Sequence, residues 1–195
     1  MGSVSGMQHP VEAALGREAG RSWCPHLAML LDSLDDLHPA LAAFYRLGAG
    51  RNGWVLHRSL PEYEARDRAG LSRAGLDIAA LEDAGALSLS EAPVSEPPES
   101  WAQPWLPIID ERLEAGFDAV WWSRFPVGVT DPAYELALRY DAAWDAAMRG
   151  RRAVSLCVYV VGADREGAAE RLAEMHDGLL HVSGEDVSLR STGRT

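Results

Sequence analysis

Lysine is absent from this chain: all 18 basic residues among its 195 positions are arginine. That excludes a lysine Schiff base, a lysine general base and the usual phosphate-loop lysine. Coding bias in a GC-rich genome produces the same absence, so it bears on excluded chemistry and not on function by itself. Cysteine is nearly absent too. Cys24 and Cys157 do not form a CxxC pair, no disulfide is called for, and a reducing cytoplasm is the expected location. No long hydrophobic run occurs. The longest, Val154 to Val161, is interrupted by Ser155 and falls far short of the roughly 18 apolar residues of a membrane helix. The opening MGSVSG fits neither a signal peptide nor the myristoylation pattern.

Positive charge is also scarce. The formal net charge is -11, and Arg151-Arg152 is the only adjacent basic pair. A chain of this sign repels phosphate backbones, so neither a nucleic acid nor a membrane is expected as a direct partner. A partner that itself binds DNA stays open. The usual catalytic signatures are missing as well: no GxxxxGK[ST], HExxH, HxH or GxSxG occurs. Gly48-Ala-Gly50 follows a helical pattern and precedes a strand, which is the order of a helix stop and not of a phosphate loop. No metal, no cofactor and no catalytic residue is therefore expected, and an enzyme ranks last among the readings.

What is present is an alternation of strand-like and helical stretches. His26–Leu31, Gly53–Arg58, Ala86–Ser90, Asp118–Arg124 and Ala153–Val161 read as strands. Helical patterns fall between them: after Leu34, from Pro61 to Gly70, over IAALEDAG with Asp77 as N-cap, from Trp105 to Ala115, after Pro132 and from Arg165 to Met175. LLHVSG and EDVSLR suit a terminal strand or hairpin. This order predicts an α/β fold with a mostly parallel central sheet flanked by helices. Residues 1–22 read as a flexible N-terminal arm with at most one short helix, and 23–190 as a single domain, order beginning at Trp23 or Cys24. Glu91 to Pro104 carries four prolines and reads as one long loop.

Ligand sites in open parallel sheets form at the carboxyl ends of strands. His57 and Arg124 sit there, and Trp121-Trp122 must point to opposite faces. An arginine beside aromatic walls suits an anionic or aromatic ligand, and suits a structural ion pair almost as well. Asp32 either orients a ligand or caps the next helix, with the cap favoured. His26 opens its strand at the opposite edge, which favours a structural role. His176 and His181 are expected to be exposed.

HPALAAFYRLGAGRNGWVLHRS, RAGLDIAALEDAGALSLSEA and AVSLCVYVV, in this order, resemble the MEDS domain, the sensory domain of methanogen and methylotroph regulators. His26 corresponds to the family's opening histidine. Gly75, Leu76 and Asp77 fit its middle motif, and Gly85 and Leu87 its continuation. Tyr140 and Trp144 lie where the long helix carries an aromatic or acidic pattern. Cys157 and Tyr159 match its late Cys-x-Tyr strand. The resemblance spans about residues 23 to 182. It implies a RecA/KaiC-like three-layer core without a phosphate loop. It also implies a non-catalytic sensory role: binding of a small organic molecule and signalling through a regulatory protein partner, with a homodimer as the default assembly. The ligand would meet His26, His57, Trp122, Arg124 and Tyr159. Three departures predict a remodelled pocket: HLAMLL in the opening strand, Val160 after Tyr159, and the Trp121, Trp122, Arg124 group in the fourth strand. The alternative is a ligand-free interaction scaffold in transcriptional or anti-sigma regulation, using the proline-rich loop.

Overall fold

Both alternating faces of the apolar strands are hydrophobic, so each strand must be covered on two sides. The computed structural model, which describes residues 9–18, 25–91, 97–162 and 165–194, meets that demand with a sheet between two helical layers. In chain order the strands are β1 (His26–Leu31), β2 (Gly53–Ser59), β3 (Leu87–Glu91), β4 (Ala119–Arg124), β5 (Val127–Gly128), β6 (Ala153–Val160), β7 (Gly178–Ser183) and β8 (Asp186–Ser191). They form one sheet in the order β3-β2-β4-β6-β1-β7-β8, with the short β5 added beside β6. All pairs are parallel except the β7–β8 hairpin. The predicted fold class is the observed one.

Of the helices, α1 (Pro10–Glu18), α2 (Leu37–Ala49), α3 (Glu64–Arg73) and α4 (Ile78–Asp83) cover one face, with Leu27, Met29, Leu31 and Trp121 as its strand contribution. The other face carries α5 (Pro98–Trp101), α6 (Leu106–Glu114), α7 (Tyr134–Met148) and α8 (Arg165–Ala173), packed on Ala28, Leu30, Trp54, Trp122 and Tyr159. The two neighbouring tryptophans thus serve different layers. Trp121 lies 5.0 Å from the Phe44 ring, and Trp122 stacks on Trp144 at 4.3 Å. Trp121 has room only because two glycines yield it. A Cβ on Gly48 or Gly53 would sit 2.6 or 2.3 Å from the indole. Gly48 is therefore a packing residue inside α2, and the helix runs on to Ala49.

Three expectations need correction. The described part of the proposed arm is α1, whose Val11 and Leu15 are fully buried against α2 and the β8 side of the sheet. Trp23 and Cys24, where order was expected to begin, lie outside the described residues. The far end of the proline-rich loop is helical: Pro98 occupies the first position of α5, where a missing N–H costs nothing, and a 3-10 turn at Gln103–Trp105 leads into α6. The cap after β1 is Ser33, whose side chain accepts from the Asp35 amide at 3.1 Å. Asp32 instead accepts from His181 Nε2 at 3.1 Å. Asp77 caps α4 as its position predicts, accepting from the Ala80 amide.

Candidate functional site

β1 leads into α2 on one face, while its neighbour β6 leads towards α8 on the other. The chains leaving two adjacent parallel strands therefore separate, which opens a crevice at the carboxyl edge. A cleft of about 540 Å³ lies there, lined by Leu34 after β1, Val160 to Gly162 at the end of β6, Phe125, Pro126, Gly128, Thr130 and Asp131 around β5, and Tyr63 and Arg66. The Arg66 guanidinium stands 4.2 Å over the Tyr63 ring. Asp131 accepts from the Gly128 amide at 2.8 Å and so braces the rim. A neighbouring cleft of about 460 Å³ shares Leu34 and Arg66 and adds His38, Gly70 and Arg73. None of the five expected ligand contacts lines either cleft.

His57 is buried on the α2 side. Its Nδ1 lies 2.6 Å from the Tyr45 hydroxyl and 3.3 Å from Ser123 Oγ, and Tyr45 and Ser123 also bond each other. Its Nε2 is 3.5 Å from Asp67 Oδ2. Asp67 accepts from Ser59 Oγ at 2.5 Å and from His38 Nε2 at 3.0 Å. Burial alone would raise the Asp67 carboxyl. The hydrogen bonds from His38, His57 and Ser59 outweigh it and hold the group well below the usual range. Burial pushes the Tyr45 hydroxyl upward. Ser123, His57 and Asp67 resemble a nucleophile, base and orienter in order, but all three are buried, Asp67 on α3 itself, and Tyr45 occupies the position next to both Ser123 and His57.

Trp122, Arg124 and Tyr159 lie on the opposite face. Arg124 grips Asp141 with two hydrogen bonds, 2.8 Å from Nε and 3.1 Å from a terminal nitrogen. Its third nitrogen donates to the Phe125 carbonyl at 3.1 Å. The Tyr159 hydroxyl also donates to Asp141. Desolvation works against both charges of the Arg124–Asp141 pair. Their mutual attraction wins, so the arginine pKa is raised and the aspartate pKa lowered. Trp122 belongs to an aromatic cluster with Trp101 and Trp144, and the Trp144 indole donates to Ser155 Oγ at 2.8 Å. Arg124 is thus engaged in the structural ion pair that sequence reasoning weighed against ligand contact. Asp141 was missed. Its spacing of three from both Leu138 and Trp144 is the helical signal that places it on the buried side.

His26 stands at the amino edge of the sheet, away from the clefts. Its Nε2 lies 3.1 Å from Cys157 Sγ, and its ring centroid is 4.3 Å from that of His176. His176, expected at the surface, is fully buried. The turn after α8 carries it under β1, where Asp177 clamps the strand: its amide donates to the His26 carbonyl and its carboxylate accepts from the His26 amide, both at 2.7 Å. Burial, and then His176, depress the His26 pKa to about 3, and burial lowers that of His176. Burial, and then Asp141, push the Cys157 thiol up. One donor atom from each of His26, Cys157 and His176 lies within 4.8 Å of the others, so these three could hold a metal ion.

No helix among the described residues is long and apolar enough to cross a membrane. No curated protein matches the chain. The family model MEDS, the MEthanogen/methylotroph, DcmR Sensory domain, matches residues 25–177, a span containing every motif residue quoted for the resemblance. This chain belongs to the MEDS sensory-domain family.

Proposed function

We propose that this member of a sensory family is non-catalytic, takes a small organic molecule in the cleft at the carboxyl edge, and reports occupancy to a regulatory protein partner in the cytoplasm. The observation that carries the reading is the cleft of about 540 Å³ at the point where β1 and β6 part. Its walls mix apolar surface (Phe125, Pro126, Val160, Val161) with Arg66, Thr130 and Asp131. That lining suits a ligand with an apolar body and one anionic or hydrogen-bonding end. Its residues include no nucleophile paired with a base, which supports binding over catalysis. A route outward also exists. The Phe125 carbonyl is held by Arg124, and Arg124 by Asp141 on α7, so displacement of the cleft wall would load a long surface helix. With a net charge of -11, the partner is a protein and not nucleic acid, and a two-fold dimer of this chain is the default assembly.

Thermal denaturation against a panel of small organic acids, amines and alcohols tests this. A true ligand at one hundred times its Kd stabilises by about 2.7 kcal/mol. That shift should disappear in Arg66→Ala and Phe125→Ala. If no compound shifts the wild type and native mass spectrometry finds no bound molecule, the ligand reading fails. Partner capture that depends on residues 91–104 would then favour the scaffold.

A further inference from the structure

We propose that His26, His176 and Cys157 form a buried site for a zinc-class divalent ion, separate from the cleft at the carboxyl edge. The three donors come from the start of β1, the turn after α8 and the middle of β6, and one donor atom of each lies within 4.8 Å of the others. Tetrahedral zinc at about 2.0–2.1 Å to nitrogen and about 2.3 Å to sulfur holds its donors roughly 3.5 Å apart. His26 Nε2 and Cys157 Sγ are already at 3.1 Å. Closing the set takes ring rotation and no change of fold.

The surroundings orient these side chains as ligands are oriented. His176 Nδ1 donates to the Leu172 carbonyl at 2.9 Å, which leaves its Nε2 with the lone pair. That Nε2 is fully buried and has no hydrogen-bond partner. A buried polar atom left this way is destabilising, and a metal bond would relieve it. His26 turns Nδ1 towards the Asp145 carboxylate, 3.5 Å away and not hydrogen-bonded to it, and Nε2 towards the thiol, so a small ring rotation gives the carboxylate–histidine–metal arrangement. Asp141, whose Oδ2 is 3.8 Å from His176 Nε2, is occupied by Arg124 and Tyr159. The protein thus supplies three donors, and an exogenous donor completes the tetrahedron.

Binding expels the Cys157 thiol proton to solvent. The ion exchanges water for two imidazoles and a thiolate, and no electron moves. The resulting single positive charge faces Asp145. Thiolate plus imidazole favours zinc, and cobalt as its spectroscopic substitute, over magnesium or calcium.

The test uses the full chain, reduced and stripped with a chelator, then titrated with Co²⁺. The expected result is one equivalent bound with a thiolate-to-cobalt charge-transfer band, displaced by Zn²⁺. The band should vanish in Cys157→Ser and persist in Cys24→Ser, the only other cysteine. His176→Gln should raise the cobalt dissociation constant about tenfold or more. Should the Cys157 variant not fold, X-ray absorption on zinc-loaded Cys24→Ser decides: one sulfur at about 2.3 Å and imidazole nitrogens at about 2.0–2.1 Å support the site. Absence of both band and sulfur shell, or a band that survives Cys157→Ser, overturns it.

Discussion

Asp141 organises the face of the sheet on which most of the expected ligand contacts fall. It neutralises Arg124, accepts from Tyr159 and lies 3.8 Å from His176. Removing one partner of a buried ion pair leaves the other charge without compensation, at a cost of about 3–5 kcal/mol. Asp141→Asn should lower stability in urea by that order. A double replacement, Arg124→Met with Asp141→Leu, should cost clearly less than the two single changes added together. If Asp141→Asn unfolds at the wild-type urea concentration, the pair does not stabilise the fold. Strand parity was legible here: alternation put Trp122 and Arg124 on one face and Trp121 on the other. The partner was not legible, because Asp141 reaches Arg124 only after the chain crosses β5 and enters α7.

At the scale of elements, strongly apolar runs announced themselves and weakly patterned ones did not. β1, β2, β4 and β6 fall within a residue or two of their sequence limits, since a continuous apolar run between turn signals has few alternatives in a chain this size. α1 reads PVEAALGRE, with Val11, Ala14 and Leu15 as the buried stripe among its described side chains. Such a short helix is marginal alone and is held by the surfaces of α2 and the sheet edge. Leu15→Ala should therefore cost about 2–5 kcal/mol, read from the thermal or urea midpoint. A mobile arm would register no change. The segment around Pro98 shows the converse: proline excludes a helix interior but opens a helix well, so four prolines did not forbid α5.

For the whole molecule, acid is the informative stress. Asp67, Asp32 and Glu82 all titrate below their usual values when folded. Asp67 is held down, against burial, by His38, His57 and Ser59, Asp32 first by its hydrogen bond from His181, and Glu82 first by Arg68. Unfolded carboxylates titrate near pH 4. The unfolded chain thus binds more protons in acid, and the stability these groups contribute is present above about pH 5 and lost as pH falls through 4 and below. The melting temperature should drop between about pH 5 and pH 3, by less in Asp67→Asn, whose contribution is already gone. An equal drop in that variant would show that Asp67 has no part in it.

The sequence by itself determined the fold class, the helix cap at Asp77 and the family, because apolar period, turn chemistry and motif order are local properties of a chain. Tertiary structure alone decided what the polar residues do. His57 went beneath α2, His176 went from an expected surface position to the core, and Arg124 took Asp141. A charged or aromatic residue at a strand end has the same local signature whether it faces a ligand or a buried partner. The choice between them lies in the two helical layers, which fix the far side of every such contact.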